Sequence, residues 1–236
     1  MLNPSLDLAG LAREFAQRRR LRIHGVLAPD FATAVAADMG RLPYQWFCAT
    51  GKGVGVFDPR EIAGWSRVQQ QELQRELHTA ASRGEGFAYL GFRMADAWRV
   101  DVPDSPLGRL HRGIAASETL AAMRTITGAD TFDQAFAQAT EYRPGHYLTR
   151  HLDDPAGESR RFAFVWGFTP AWHPDWGGLL QFYARDGRPL DSLAPGFNTL
   201  DLFDVSHVHA VTYVAPFALH PRHAVSGWYV KGDPLR

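Results

Sequence analysis

Apolar positions recur with two different textures along this chain, and the change falls near residue 130. In the first half, Phe31, Val35 and Met39 recur every fourth residue behind a Pro29-Asp30 start signal, which predicts a helix with one face turned inward. The stretch from Ser66 to Arg83 is rich in Gln, Glu, Leu and Arg and predicts a second helix, with Gly84 as its stop. Ser117 opens a third, with Leu120, Met123 and Ile126 on its buried side. Short strands near 21–26 and 87–94 interrupt these helices. From about residue 132 onward, short aromatic and β-branched runs alternate with turn signals at Pro144-Gly145, Pro155-Ala156-Gly157, Gly177-Gly178, Asp186-Gly187 and Pro195-Gly196. Strands at this spacing predict a β-sandwich or barrel. The expected architecture is therefore mainly β with flanking helices (α+β): a single domain over 1–236, with a helical support region to about 128 and a β core over about 130–232.

Composition narrows the chemistry. The 25 basic and 25 acidic residues cancel, which gives no electrostatic reason to expect nucleic acid as the main partner. The cluster Arg18, Arg19, Arg20 and Arg22 reads as a solvated helix end rather than a binding patch. One cysteine, Cys48, excludes an intramolecular disulfide framework and any multi-cysteine zinc site. Met1-Leu2-Asn3-Pro4 lacks the basic-then-apolar pattern of a signal peptide, and no apolar run is long enough to cross a bilayer. A cytoplasmic protein without a membrane partner is the expectation.

Among ten histidines, an H-x-D triplet is expected about once by chance, so the two that occur decide nothing alone. Context separates them. Two histidines and one carboxylate on one octahedral face suit a non-haem iron(II) ion with its other face open. Residues two apart on a strand point the same way, so a His and an Asp at a strand end reach one metal together. His151-Leu152-Asp153 follows the strand-like Tyr147-Leu148-Thr149-Arg150 and leads into a turn at Asp154-Pro155. His173-Pro174-Asp175 lies between Trp172 and Trp176, in what reads as a hairpin loop. For the third ligand, His209 opens the strand-like run 209–214, while His207 stands on the same side of an extended chain and remains the alternative.

From about Gln138 to Tyr229 the chain resembles the prolyl-hydroxylase branch of the iron(II)- and 2-oxoglutarate-dependent oxygenases. The resemblance rests on ordered motifs. Tyr142-Arg143-Pro144-Gly145-His146-Tyr147-Leu148-Thr149-Arg150-His151-Leu152-Asp153 is similar to the family's tyrosine, glycine and H-x-D signature. Arg161-Phe162-Ala163-Phe164-Val165-Trp166 follows as the next strand. Trp172 and Gly177-Gly178-Leu179-Leu180 resemble its Trp…Gly-Gly-x-Leu hairpin, which accounts for 172–176 without a metal. Asn198-Thr199-Leu200-Asp201-Leu202-Phe203 then precedes His209-Ala210-Val211, and Arg222 with Ser226-Gly227-Trp228-Tyr229 closes the run.

The resemblance implies a double-stranded β-helix, a cupin-like jelly roll with the metal in its mouth. It implies iron(II) on His151, Asp153 and His209, with 2-oxoglutarate and O2 as co-substrates and ascorbate as an optional reductant. Arg222 would pair with the distal carboxylate of 2-oxoglutarate, since a guanidinium meets a carboxylate bidentately, and Tyr142 would reach the same group. Where the family often has a supporting serine, this chain has Ala224, so that support would come from Tyr142 or Thr212. Arg161, Trp172, Trp166 and Trp176 are candidate substrate contacts. The implied reaction is hydroxylation of a proline in a protein or peptide, with release of succinate and CO2. A cupin-like metalloenzyme without 2-oxoglutarate, or a relative acting on a free amino acid or small metabolite, is the alternative.

Overall fold

A computed structural model of the chain describes residues 1–94, 105–153 and 159–232. The turn expected across Asp154, Pro155, Ala156 and Gly157 lies outside the described residues. The expected helices form: α2 (Pro29–Met39) starts on its proline, and α4 (Arg67–Ser82) opens with a capping box between Ser66 and Gln69. The third, α6 (Ser117–Thr127), ends at Gly128 in the left-handed conformation. To these are added α1 (Leu8–Arg18), the short α3 (Pro59–Ala63) and α5 (Pro106–Ile114).

Among the described residues, twelve antiparallel strands make one sheet. They are β1 (Arg20–His24), β2 (Gln45–Thr50), β3 (Gly53–Phe57), β4 (Phe87–Arg93), β5 (Gln134–Tyr142), β6 (Tyr147–His151), β7 (Arg160–Phe168), β8 (Leu180–Tyr183), β9 (Pro189–Leu193), β10 (Phe197–Asp204), β11 (Val208–Val211) and β12 (Arg222–Val230). The order β1-β10-β7-β12-β5 forms one wall and β6-β11-β8-β9 the other. Strand β4 joins the walls by pairing with both β5 and β6, and it carries the β2–β3 hairpin on its other edge. The sheet curls into the half-barrel of a jelly roll, as expected.

Strand alternation divides labour between the two faces. On β7, Phe162, Phe164, Trp166 and Phe168 pack into the main core with Phe15, Val35, Met39, Leu110 and Met123 from the helices. Ala163 and Val165, one residue out of phase, line the cavity between the walls. Small residues on that face leave room, while bulky ones on the other anchor the wall to the helices.

Two local expectations change. The basic run is not a solvated helix end. Only Arg18 closes α1; Arg19 turns left-handed and pairs with Asp204, while Arg20 and Arg22 enter β1 and pair with Asp191 and Asp201. The β2–β3 hairpin was also unforeseen in a region read as helical. No helix among the described residues is long and apolar enough to cross a membrane.

Candidate metal centre

The centre is built where β6 ends. His151 is the last residue of β6 and stands directly opposite His209 of β11 in the antiparallel register. Their imidazole centroids lie 4.2 Å apart. Asp153, two residues beyond His151, turns back to the same point. One ligand atom from each of the three residues lies within 4.8 Å of the others, and no other such group of His, Cys, Asp or Glu occurs among the described residues. Asp153 and His209 are buried.

Both imidazoles are fixed the same way. His151 Nδ1 is 2.9 Å from the Thr149 carbonyl, and His209 Nδ1 is 3.0 Å from the His207 carbonyl. An N–H at each Nδ1 donating to that oxygen leaves each Nε2 lone pair aimed inward, as a metal ligand requires. Asp153 receives them: His209 Nε2 is 3.3 Å from Oδ2 and His151 Nε2 is 3.5 Å from Oδ1. Burial pushes the Asp153 carboxyl upward, but the two histidines outweigh it and hold it well below the usual carboxylate range. For His151 burial works downward, and Asp153 with the Thr149 carbonyl more than restores it. Phe203 packs edge-on against His209 at 4.7 Å and fixes that ring. The donor set and its aim fit a divalent metal that prefers two nitrogens and a carboxylate.

The cavity beside this centre holds about 210 Å³ and is lined from both walls. Arg222 and Tyr142 are a cross-strand pair of β12 and β5 at its floor. The guanidinium lies 5.1 Å from the Tyr142 ring centroid, and both residues are buried. Arg222 Nη1 has no hydrogen-bond partner among the described residues. The neighbouring carboxylate, Asp201, is already held bidentately by Arg22 at 2.6 and 2.7 Å. A buried cation left with an unmet donor costs several kcal/mol (about 3–5 by the effect of removing a partner), so the floor is chemically suited to an anion. A carboxylate entering the cavity would satisfy it.

The other expected residues fall elsewhere. His207 sits in the turn before β11 with Nε2 at 3.1 Å from the Arg18 carbonyl, away from the triad. His173 caps the 3₁₀ turn Pro174–Trp176 on the surface, its Nδ1 accepting from the N–H of Asp175 within that turn. Arg161 is exposed, and Trp166 is buried among the helices. Trp172 donates its indole N–H to the Gly177 carbonyl and packs on Trp176. Neither Arg161 nor any of these tryptophans lines the cavity. Thr212 spends its hydroxyl on the Leu179 N–H. The sequence reading missed Tyr89, Gln138, Ser226 and Trp228, which do line it. Ser226 and Trp228 carried a signal: they continue the period-two series from Arg222.

Comparison with known proteins agrees with this arrangement. Residues 137–230 match the family model described as the 2OG-Fe(II) oxygenase superfamily. The family that this model describes implies Fe(II), 2-oxoglutarate and O2, and the His151–Asp153–His209 group fits the iron. Two curated relatives are both called prolyl 3-hydroxylase OGFOD1. The Xenopus laevis protein is 40% identical over 92 residues, which is 36% of this chain and 18% of that protein. The Mus musculus protein is 32% identical over 111 residues, 44% of this chain and 20% of that one. The chain thus matches about a fifth of the length of either relative. Among solved structures, a Pseudomonas putida prolyl-4-hydroxylase superposes with a TM-score of 0.64 at 16% identity, covering 96% of this chain and all of that one. A Trichoplax adhaerens prolyl hydroxylase in complex with a hypoxia inducible factor peptide fragment superposes equally well, covering 95% of this chain and 89% of that one. At such identity these two establish the fold.

Proposed function

We propose that this chain is an Fe(II)- and 2-oxoglutarate-dependent dioxygenase that hydroxylates a prolyl residue in a protein or peptide, releasing succinate and CO2. One observation carries the reading. A single cavity joins the His151–Asp153–His209 donor set to the buried guanidinium of Arg222, whose Nη1 has no partner among the described residues.

In this reading the triad holds iron, and Arg222 with Tyr142 takes the distal carboxylate of 2-oxoglutarate. Iron, 2-oxoglutarate and O2 together supply the oxidising power to hydroxylate an unactivated C–H bond. The chain supplies the rest. The Thr149 and His207 carbonyls keep both imidazoles in the ligating tautomer. Arg222 orients the co-substrate by a charge-assisted pair in a site where little water screens it. Leu148, Leu180, Phe203 and Val211 wall the cavity with apolar surface and exclude water. A cupin-like metalloenzyme without 2-oxoglutarate leaves Arg222 without a role. The prolyl substrate is supported by the names of the two matched relatives. A cytoplasmic setting and ascorbate as reductant complete the proposal.

Anaerobic addition of Fe(II) and 2-oxoglutarate tests the central claim. A visible charge-transfer band should appear, and admitting O2 should yield succinate. No band and no succinate would remove the oxygenase reading. Incubation with proline-containing peptides should add one oxygen to the peptide mass; turnover of free proline alone would remove the peptide substrate.

A further inference from the structure

Asp153 has a third neighbour that the oxygenase reading does not use. Arg160 Nη1 lies 3.9 Å from Asp153 Oδ1, and its guanidinium carbon sits 3.6 Å from the ring centroid of Trp228, a cavity residue. A local irregularity in the sheet puts it there. Trp228 pairs with Ala163 and Tyr229 with Phe162, but Val230 pairs with Arg160, so Arg161 is an extra residue on β7. Without that bulge, simple alternation from Val165 and Ala163 would bring Arg161 to the cavity face and send Arg160 to the other. With it, Arg160 takes the inner place and Arg161 is left exposed. Bulges beside active sites commonly re-aim a side chain in this way.

We propose that Arg160, stacked on Trp228, is a positioning residue that holds the Asp153 carboxylate in one orientation for metal binding. A carboxylate at a strand end can rotate and offer a metal one oxygen or two. A guanidinium held beside Oδ1 favours the orientation in which Oδ2, the oxygen facing His209, is the ligand. That leaves more of the coordination sphere for a chelating co-substrate. The planar stack on Trp228 suits arginine better than lysine, whose ammonium is a point charge on a flexible stem. The inference rests on the triad being a metal site.

Anaerobic titration with Mn(II), followed by electron paramagnetic resonance, tests it without turnover. Arg160→Ala should weaken Mn(II) binding by about 10- to 100-fold, the usual cost of losing a group that supports a metal ligand. Arg160→Lys should recover part of that loss, and Trp228→Phe, which keeps an aromatic platform, should stay within about threefold of wild type. Circular dichroism of each metal-free variant checks the fold. If Arg160→Ala does not fold, Arg160→Lys and Trp228→Ala carry the test, each with weaker Mn(II) binding than wild type. Wild-type Mn(II) affinity in folded Arg160 variants overturns the role, even if peptide turnover falls. Failure of the wild-type chain to bind Mn(II) overturns the metal site itself and this inference with it.

Discussion

On β5 and β12, two cross-strand pairs stand one residue apart and face opposite ways. His223 and Glu141 point outward from the cavity, with Nε2 and Oε2 2.6 Å apart, and Arg143 pairs with the other oxygen of Glu141. Arg222 and Tyr142 point inward, and there the guanidinium keeps an unmet donor. The same two strands thus carry a closed polar cluster on one face and an open one on the other. Arg22 sharpens the contrast, since it is also half of a buried pair and spends its donors on Asp201 and the Ala194 carbonyl. Buried charge that is fully matched belongs to the fold, while buried charge left unmatched marks where a ligand is received.

The largest expected effect is on stability and comes from the matched class. Arg22→Ala leaves Asp201 buried without its bidentate partner and should cost about 4 kcal/mol in urea unfolding. A loss under about 1 kcal/mol would mean the pair is not structural. Arg222→Ala should do the reverse. Removing an unmatched buried cation should leave the fold at least as stable as wild type, yet raise the apparent KM for 2-oxoglutarate about 100-fold, near 2.7 kcal/mol. Unfolding curves and steady-state kinetics on both variants separate the two classes, and a swapped outcome breaks the comparison.

Glu141→Gln comes next, at about 2 kcal/mol of stability with little change in co-substrate binding. Its pH dependence has a definite sign. Burial pushes the Glu141 carboxyl up, but His223 and Arg143 together hold it below the ordinary glutamate range. A depressed carboxyl contributes stability that is full above the ordinary range and fades as pH falls through it and below. Wild type should therefore exceed Glu141→Gln most near neutrality and converge with it in acid. A gap that is constant with pH would show that the carboxylate charge is not the source.

How much of this was legible in sequence depended on how local the cause was. His151 and Asp153 could be read because their place at a strand end and the ordered motifs after them separate this H-x-D from His173-Pro174-Asp175. The choice between His209 and His207 could not, since period two puts both on one side. Only the turn before β11, with His207 against the Arg18 carbonyl, separates them. The basic run misled because the partners of Arg20 and Arg22, Asp191 and Asp201, lie far along the chain on β9 and β10. Arg161, expected at the substrate, is left exposed by a one-residue bulge with no local signature. Trp166 went astray because two faces of β7 are apolar, so composition did not say which met the cavity.

Tyr142 offers the smallest effect and the finest division of the inward face. Its ring supports the Arg222 guanidinium on one side and stacks on Tyr89 at 5.4 Å on the other. Burial, and the neighbouring Tyr89, push its hydroxyl well above the ordinary tyrosine value, with Arg222 opposing only in part. The group therefore stays protonated and can donate to a carboxylate held by Arg222. Tyr142→Phe keeps the ring and removes one hydrogen bond, worth about 1 kcal/mol, so the KM for 2-oxoglutarate should rise about fivefold with kcat nearly unchanged. Tyr142→Ala also removes the platform and should approach Arg222→Ala. If Tyr142→Phe leaves KM at the wild-type value while Tyr142→Ala raises it, the tyrosine acts only by shaping Arg222, and the open face holds its ligand through the guanidinium alone.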